Sequence, residues 1–259
     1  MNNYILFIDS GIGGTHLLRL TQSMLPHENF LYLADTKNLP YGNKSKRKVT
    51  KLVTKAIRKI MRDYPLKMIV LACNTATATS IMSLRERFNI PIVGIEPAIK
   101  KALDFGHKNI LVIATAATIK HSKIIKKYRH YPYVSGKYLK PNLKAFGTKF
   151  KQNYTNFEPY NTRYPAVKLT IKKDIHLATL IETKSSHLVR YINKYQKYSL
   201  CDAIVLGCTH YIFAQTELRQ IFKNAKFYES SPFVARRIKQ VLMLNGTLKN
   251  KGRGKTIFL

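Results

Sequence analysis

The chain has 259 residues, 45% of them hydrophobic, enough to bury one large core or two modest ones. Three cysteines, odd in number and far apart, argue against a disulfide framework and fit a reducing compartment. No basic segment followed by an apolar run opens the chain, and no stretch approaches the ~20 apolar residues that span a bilayer. A soluble, cytoplasmic protein with no membrane partner is therefore expected. Lys and Arg total 45 against 13 acidic residues, a formal charge of +32, which by itself suggests an anionic partner such as nucleic acid. The basic residues are spread along the whole chain, however, and Lys greatly outnumbers Arg, the residue on which base readout leans. Compositional drift toward Lys, Asn, Ile and Tyr is the favoured account, with nonspecific polyanion binding expected either way.

Taken in order, residues 4–9, 30–34, 68–72 and 91–95 read as short strands, with helical patterns at 14–25, 45–64 and 76–88. That alternation predicts a doubly wound parallel sheet. A second unit begins near Ile99, with strands at 109–114 and 203–207 and helices near 118–129 and 185–197. After His210 the chain is expected to return to the first unit, with helices near 212–223 and 230–244. The first domain would then comprise residues 1–97 and 211–259, and the second residues 98–210. Residues 131–176 form a long insertion rich in Lys, Tyr, Asn and Pro. In it Tyr131, Tyr133, Tyr138, Tyr154, Tyr160 and Tyr164 interleave with lysines, a composition compatible with stacking on single-stranded nucleic acid. An expanded surface loop is the favoured reading, and a lid over a cleft is a third. The tail from Gly246 to Leu259 is basic, contains glycine, and is read as loosely held.

Two stretches are near-copies. M-I-V-L-A-C-N-T runs from Met68 to Thr75 and A-I-V-L-G-C-T-H from Ala203 to His210. Each reads as a buried parallel strand that ends in a cysteine and opens into a helix start. The repeat predicts an α/β protein of two similar doubly wound domains related by pseudo-two-fold symmetry. Each domain would offer one thiol at the carboxyl end of a strand, where open α/β sheets place ligands. A helix start favours an anion, so it is expected to lower the thiol's pKa and to receive a carboxylate. Two thiols across one cleft can take a proton from one face of a carbon and return it to the other. Read singly, a cysteine after an apolar strand is more often small hydrophobic filler, as Cys201 is taken to be; the pairing reverses that for Cys73 and Cys208.

Six motifs carry a family resemblance: F-I-D-S-G-I-G-G (Phe7 to Gly14), L-A-D-T-K-N-L-P-Y-G (Leu33 to Gly42), A-C-N-T-A-T-A (Ala72 to Ala78), V-G-I-E-P-A-I-K (Val93 to Lys100), I-A-T-A-A-T-I-K (Ile113 to Lys120) and L-G-C-T-H-Y (Leu206 to Tyr211). In this order and spacing they resemble the glutamate racemases, over most of residues 4–130 and 177–245. The resemblance implies a discontinuous two-domain layout with the active site in the cleft between the domains. It also implies glutamate as a small-molecule substrate, a two-thiol mechanism without pyridoxal phosphate or metal, and D-glutamate supply for peptidoglycan. Cys73 and Cys208 resemble the catalytic thiols, Asp9 the carboxylate that sets the proton state of the first, and His210 the partner of the second. Glu182, after an apolar run, resembles a further acidic helper. Asp9, Ser10, Tyr41, Gly42, Asn74, Thr75, Thr209 and His210 resemble the substrate-binding residues, with Thr115 and Thr118 as further ligands from the second domain. Family members vary in dimer arrangement, so a homodimer is one expected assembly, although a chain this positive resists self-association.

Read residue by residue, several alternatives stay open. Asp9 before glycine could cap its own turn, Tyr41–Gly42 after Pro40 reads as an ordinary turn, and a lone histidine such as His210 is more often structural. G-I-G-G-T-H lacks the third glycine of a dinucleotide loop, since position 16 is His, and neither C-x-x-C nor H-x-x-x-H marks a metal site. Ile212 stands where the family usually has Pro, and the family crosses the 131–176 region with fewer residues. Aspartate or another amino acid as substrate, or a silent basic nucleic-acid-binding relative, are the other readings.

Overall fold

A computed structural model describes residues 3–129 and 167–259. The chain alternates strand and helix: β1 (Tyr4–Asp9), α1 (Thr15–Met24), β2 (Asn29–Ala34), α2 (Lys46–Asp63), β3 (Leu66–Leu71), α3 (Asn74–Arg87) and β4 (Ile92–Gly94). It then crosses into a second set: α4 (Ile99–Asp104), β5 (Asn109–Ala114), α5 (Ala116–His121), α6 (Lys123–Arg129), β6 (Lys168–Lys173), α7 (Leu177–Glu182), α8 (Leu188–Ile192), β7 (Ala203–Gly207), α9 (Gln215–Ile221) and β8 (Lys226–Tyr228). It closes with α10 (Ser231–Leu244) and β9 (Thr256–Phe258).

Two wholly parallel sheets result, ordered β4-β3-β1-β2-β9 and β8-β7-β5-β6. Leaving β9 aside, the orders are equivalent, and β3 and β7 occupy the same place. The near-copied sequences are thus copies in structure as well. The central strands β1, β3, β5 and β7 are covered on both faces, which is why they are almost entirely apolar. Along β1 the side chains alternate, Ile5 and Phe7 entering one core while Tyr4, Leu6 and Ile8 enter the other. β7 does the same, with Ile204 and Leu206 on one side and Ala203 and Val205 on the other. The helices follow from their stripes: in α2, capped by Ser45 Oγ, the residues Val49, Val53, Ile57 and Ile60 bury one face.

Four sequence expectations need correction. The pattern at 118–129 is broken at Ser122, whose hydroxyl accepts from the Ile125 N–H and so starts a new helix. The return to the first sheet comes after residue 228 and not after His210. α9 packs in the second core through Leu218, Ile221 and Phe222, and β8 pairs with β7; only α10 lies in the first core, through Val234, Ala235 and Ile238. The end of the 131–176 stretch is not loop, since Lys168–Lys173 forms edge strand β6 beside β5. The six tyrosines named there lie outside the described residues. The tail is held: β9 pairs with β2, and Glu28 accepts from the Lys249 N–H while ion-pairing with Lys67 at 2.5 Å. Among the described residues no helix is long and apolar enough to cross a membrane.

Candidate active site

In a doubly wound sheet the crevice opens where successive connections leave in opposite directions. The first sheet reverses between β1 and β3, and there Asp9 ends β1 and Cys73 follows β3. The second reverses between β5 and β7, where Thr115 follows β5 and Cys208 follows β7. Both cysteines sit in extended backbone immediately before a helical segment. For Cys73 this is α3, and for Cys208 a 3-10 turn, Thr209–Ala214, that leads into α9. Both are buried and neither is in a disulfide.

Asp9 does two things at once. Its Oδ1 accepts from the Ser10 N–H at 2.8 Å and its Oδ2 from the Gly14 N–H at 2.6 Å, so it does cap its own turn. Beside it the Cys73 Sγ lies 3.9 Å from Ser10 Oγ. Burial pushes Asp9 above the ordinary carboxylate range, against the pull of His210 and the two N–H groups. Burial likewise pushes the Cys73 thiol well above its ordinary range, and the Asp9 charge adds to this. The expectation that the helix start lowers this thiol is therefore overturned. The Ala76 N–H does pull downward, but desolvation and the adjacent carboxylate outweigh it.

The second half supplies a relay. His210 Nδ1 is 3.8 Å from Cys208 Sγ, and its Nε2 is 2.6 Å from Glu182 Oε2. Burial alone would push His210 down, yet the hydrogen bonds to Cys208 and Glu182, with the charges of Cys208 and Asp9, raise it from 6.5 to about 11. Glu182 is held below its ordinary value although burial opposes this, by His210 and by the Ile12 N–H, which reaches both carboxylate oxygens at 3.2 Å. A folded-state pKa raised in this way has a defined consequence. Between 6.5 and about 11 the native protein keeps a proton that the unfolded chain releases. The stability it contributes is complete below 6.5 and falls as pH rises through about 11. Denaturant midpoints measured across that window should decline with pH, and Glu182→Gln should flatten the decline.

Hydroxyl groups join the halves. Thr75 Oγ1 lies 2.9 Å from Thr115 Oγ1 and 3.3 Å from Thr118 Oγ1. Gly42 packs on the Thr115 side chain, and the Tyr41 hydroxyl is committed to Asp35 at 2.6 Å, so that side chain braces the turn. Asn74 Nδ2 donates to the Ile95 carbonyl at 3.2 Å. Thr209 Oγ1 is buried without a hydrogen-bond partner. Asn74, Ile95, Cys208, Thr209, Glu229 and Ser230 line a small recess of about 10 Å³, room for about one water. Thr75, Thr115 and Thr118 meet at the seam between the two sheets, while Asn74, Cys208 and Thr209 line the small space beside it. Three contributors were missed. Tyr32 donates to the Gly11 carbonyl at 2.8 Å from beneath the glycine turn, Asp35 holds Tyr41, and Asp174 anchors α7. Asp35 stands inside the Leu33–Gly42 motif, and Asp174 left a signal of its own, an Asp three residues before the first residue of an apolar helix.

No protein-family model matches the chain. Glutamate racemase of Clostridium acetobutylicum is 33% identical over 246 residues, covering 93% of this chain and 84% of that protein. Glutamate racemase 2 of Bacillus subtilis is 33% identical over 259 residues, covering 97% and 86%. The chain belongs to the glutamate racemase family. The fold agrees: the crystal structure of Escherichia coli glutamate racemase in complex with L-glutamate and the activator UDP-MurNAc-Ala superposes with a TM-score of 0.73 at 25% identity, covering 94% of this chain and 83% of that one. The glutamate racemase isoform RacE1 of Bacillus anthracis gives a TM-score of 0.75 at 24% identity, covering 99% and 87%. As a member of the glutamate racemase family, the protein is an isomerase.

Proposed function

We propose that the protein interconverts L- and D-glutamate by passing the α-proton between two thiols, without a cofactor, and supplies D-glutamate for peptidoglycan precursors in the cytoplasm. The observation that carries this reading is the equivalent placement of Cys73 and Cys208 after β3 and β7, at the switch points of two sheets with the same strand order. The two sulfurs differ in what supports them. Cys73 is held protonated by burial and by Asp9, whereas Cys208 faces the imidazolium N–H of His210 at 3.8 Å. The two sulfurs thus stand beside different partners, a carboxylate near Cys73 and an imidazole near Cys208, and each is placed to take or return a proton on its own face of the substrate.

An α-proton is too weakly acidic to leave unless charge developing on the carboxylate is met by fixed donors. The hydroxyls of Thr75, Thr115, Thr118 and Ser10 and the unpartnered Oγ1 of Thr209 supply that task. Substrate would exchange its carboxylate oxygens for the bonds that the threonines make to each other. Both sulfurs and the threonine hydroxyls between the units are buried, so the two units must part to admit substrate and close again to exclude water. Association with polyanions is a nonspecific property of the +32 charge and is no part of this activity. Incubation with L-glutamate in D₂O should give deuterium at Cα together with D-glutamate, and the reverse from D-glutamate. A folded sample that exchanges neither enantiomer refutes the reading.

A further inference from the structure

Asp174 follows β6 directly, and its side chain is fully enclosed. Its Oδ1 accepts from the His176 and Leu177 N–H groups at 2.9 and 2.8 Å and from the Tyr191 hydroxyl at 2.9 Å. Its Oδ2 accepts from the Tyr195 hydroxyl and pairs with Lys194 Nζ at 2.7 Å. Its backbone N–H donates to the Ala114 carbonyl at the end of β5, and its carbonyl accepts from the Tyr211 hydroxyl at 3.4 Å. One residue thus ties together the strand end that precedes Thr115, the first turn of α7, the segment after α8, and the neighbour of His210.

We propose that Asp174 is a positioning residue of the active site, whose buried carboxylate sets Glu182 on His210 and thereby the partner of Cys208. The inference rests on the racemase reading for the meaning of that partner. α7 is six residues long, far below the length at which a helix sustains itself, so its direction is fixed by what holds its ends. Asp174 holds the first turn, and Glu182 is the last residue. Over about 9 Å of helix a tilt at the start is carried to the carboxylate at the end. The bond it makes to His210 is 2.6 Å, and such bonds weaken steeply once stretched past about 3.2 Å. From the other side Tyr211, in the same core as Cys208, holds the turn that bears His210. A helix cap requires one acceptor. Here both oxygens are used, with two tyrosines and a lysine on them, which fixes the carboxylate in orientation as well as in place. The tyrosine and lysine contacts keep Asp174 ionised below its ordinary value although burial opposes this.

The test is Asp174→Asn, which keeps the size and one acceptor, with Asp174→Ala beside it. In folded Asp174→Asn, kcat on glutamate should fall about tenfold while KM stays within about twofold, because the proton relay is disturbed and the substrate hydroxyls are not. The basic limb of the pH–rate profile should move down with it. In substrate-free protein the His210 midpoint, followed by NMR, should drop by about one unit, in the same direction as in Glu182→Gln. Circular dichroism and melting establish folding, and Asp174→Asn carries the test if Asp174→Ala does not fold. A folded Asp174→Asn with wild-type kcat, pH profile and His210 midpoint overturns the proposal, as does a lowered melting temperature with those three unmoved. Wild-type turnover measured alongside tests the racemase reading separately, since the His210 midpoint reports on Asp174 whatever the substrate.

Discussion

Serine in place of either Cys73 or Cys208 should lower glutamate racemisation by about a thousandfold, within the range that a positioned acid or base contributes. The substitution changes little but the proton chemistry. A hydroxyl occupies slightly less room than a thiol and hydrogen-bonds more readily, and both positions end strands whose packing is set by their neighbours. Serine's proton is far less acidic than cysteine's, so it serves neither as base nor as a matched donor. At Cys73 the penalty grows, since burial and the Asp9 charge already oppose ionisation there. Racemisation of each enantiomer passes through both sulfurs, one taking the proton and the other returning it, so both directions should fall together in each variant. Activity is read by polarimetry or enantiomer-resolved chromatography, and folding by melting temperature. Near-normal turnover in either folded variant would refute a two-thiol mechanism.

Gly13→Ala should cost about a hundredfold in kcat/KM although no acid, base or ligand is removed. A Cβ at Gly13 would lie 2.6 Å from His210 Nδ1, 2.6 Å from Thr209 Oγ1 and 2.9 Å from the His210 backbone nitrogen. The last of these belongs to the turn after β7 and cannot swing aside as a side chain does. Gly11 is constrained in the same way, its Cβ position lying 2.6 Å from Glu182 Oε1. The glycine turn after β1 is therefore the surface on which the relay of the second unit rests. Relief of the clash must separate the turn from His210, and displacements of about 1 Å at a reacting geometry cost on the order of a hundredfold. Gly106→Ala is the control. With φ of +79° and open space around it, it should lose stability through backbone strain and keep its activity. Equal loss of activity in both variants would show that stability, and not the joint, is being read.

The sequence alone determined the fold class and most of the central elements, because the continuous apolar runs of β1 and β7 and the α2 stripe at Val49, Val53 and Ile57 are local consequences of a chain covered on known faces. It also determined the two thiols, since a repeated strand ending in cysteine is visible without coordinates. Its errors were of a nonlocal kind. Whether residues 211–228 belong to the first or second core depends on which sheet edge β8 finds, and a three-residue strand carries too little pattern to say. The tail looked loose because its anchors, β2, Glu28 and Lys67, lie 180 residues or more away in the chain. The acidity of Cys73 was misjudged for the same reason. A helix start is legible in sequence, whereas desolvation and the approach of Asp9 from another strand are properties of the packed whole. The tertiary structure alone decided that the Glu182 carboxylate meets His210 at 2.6 Å across 28 residues, and that a fully enclosed Asp174 holds the helix that carries it there.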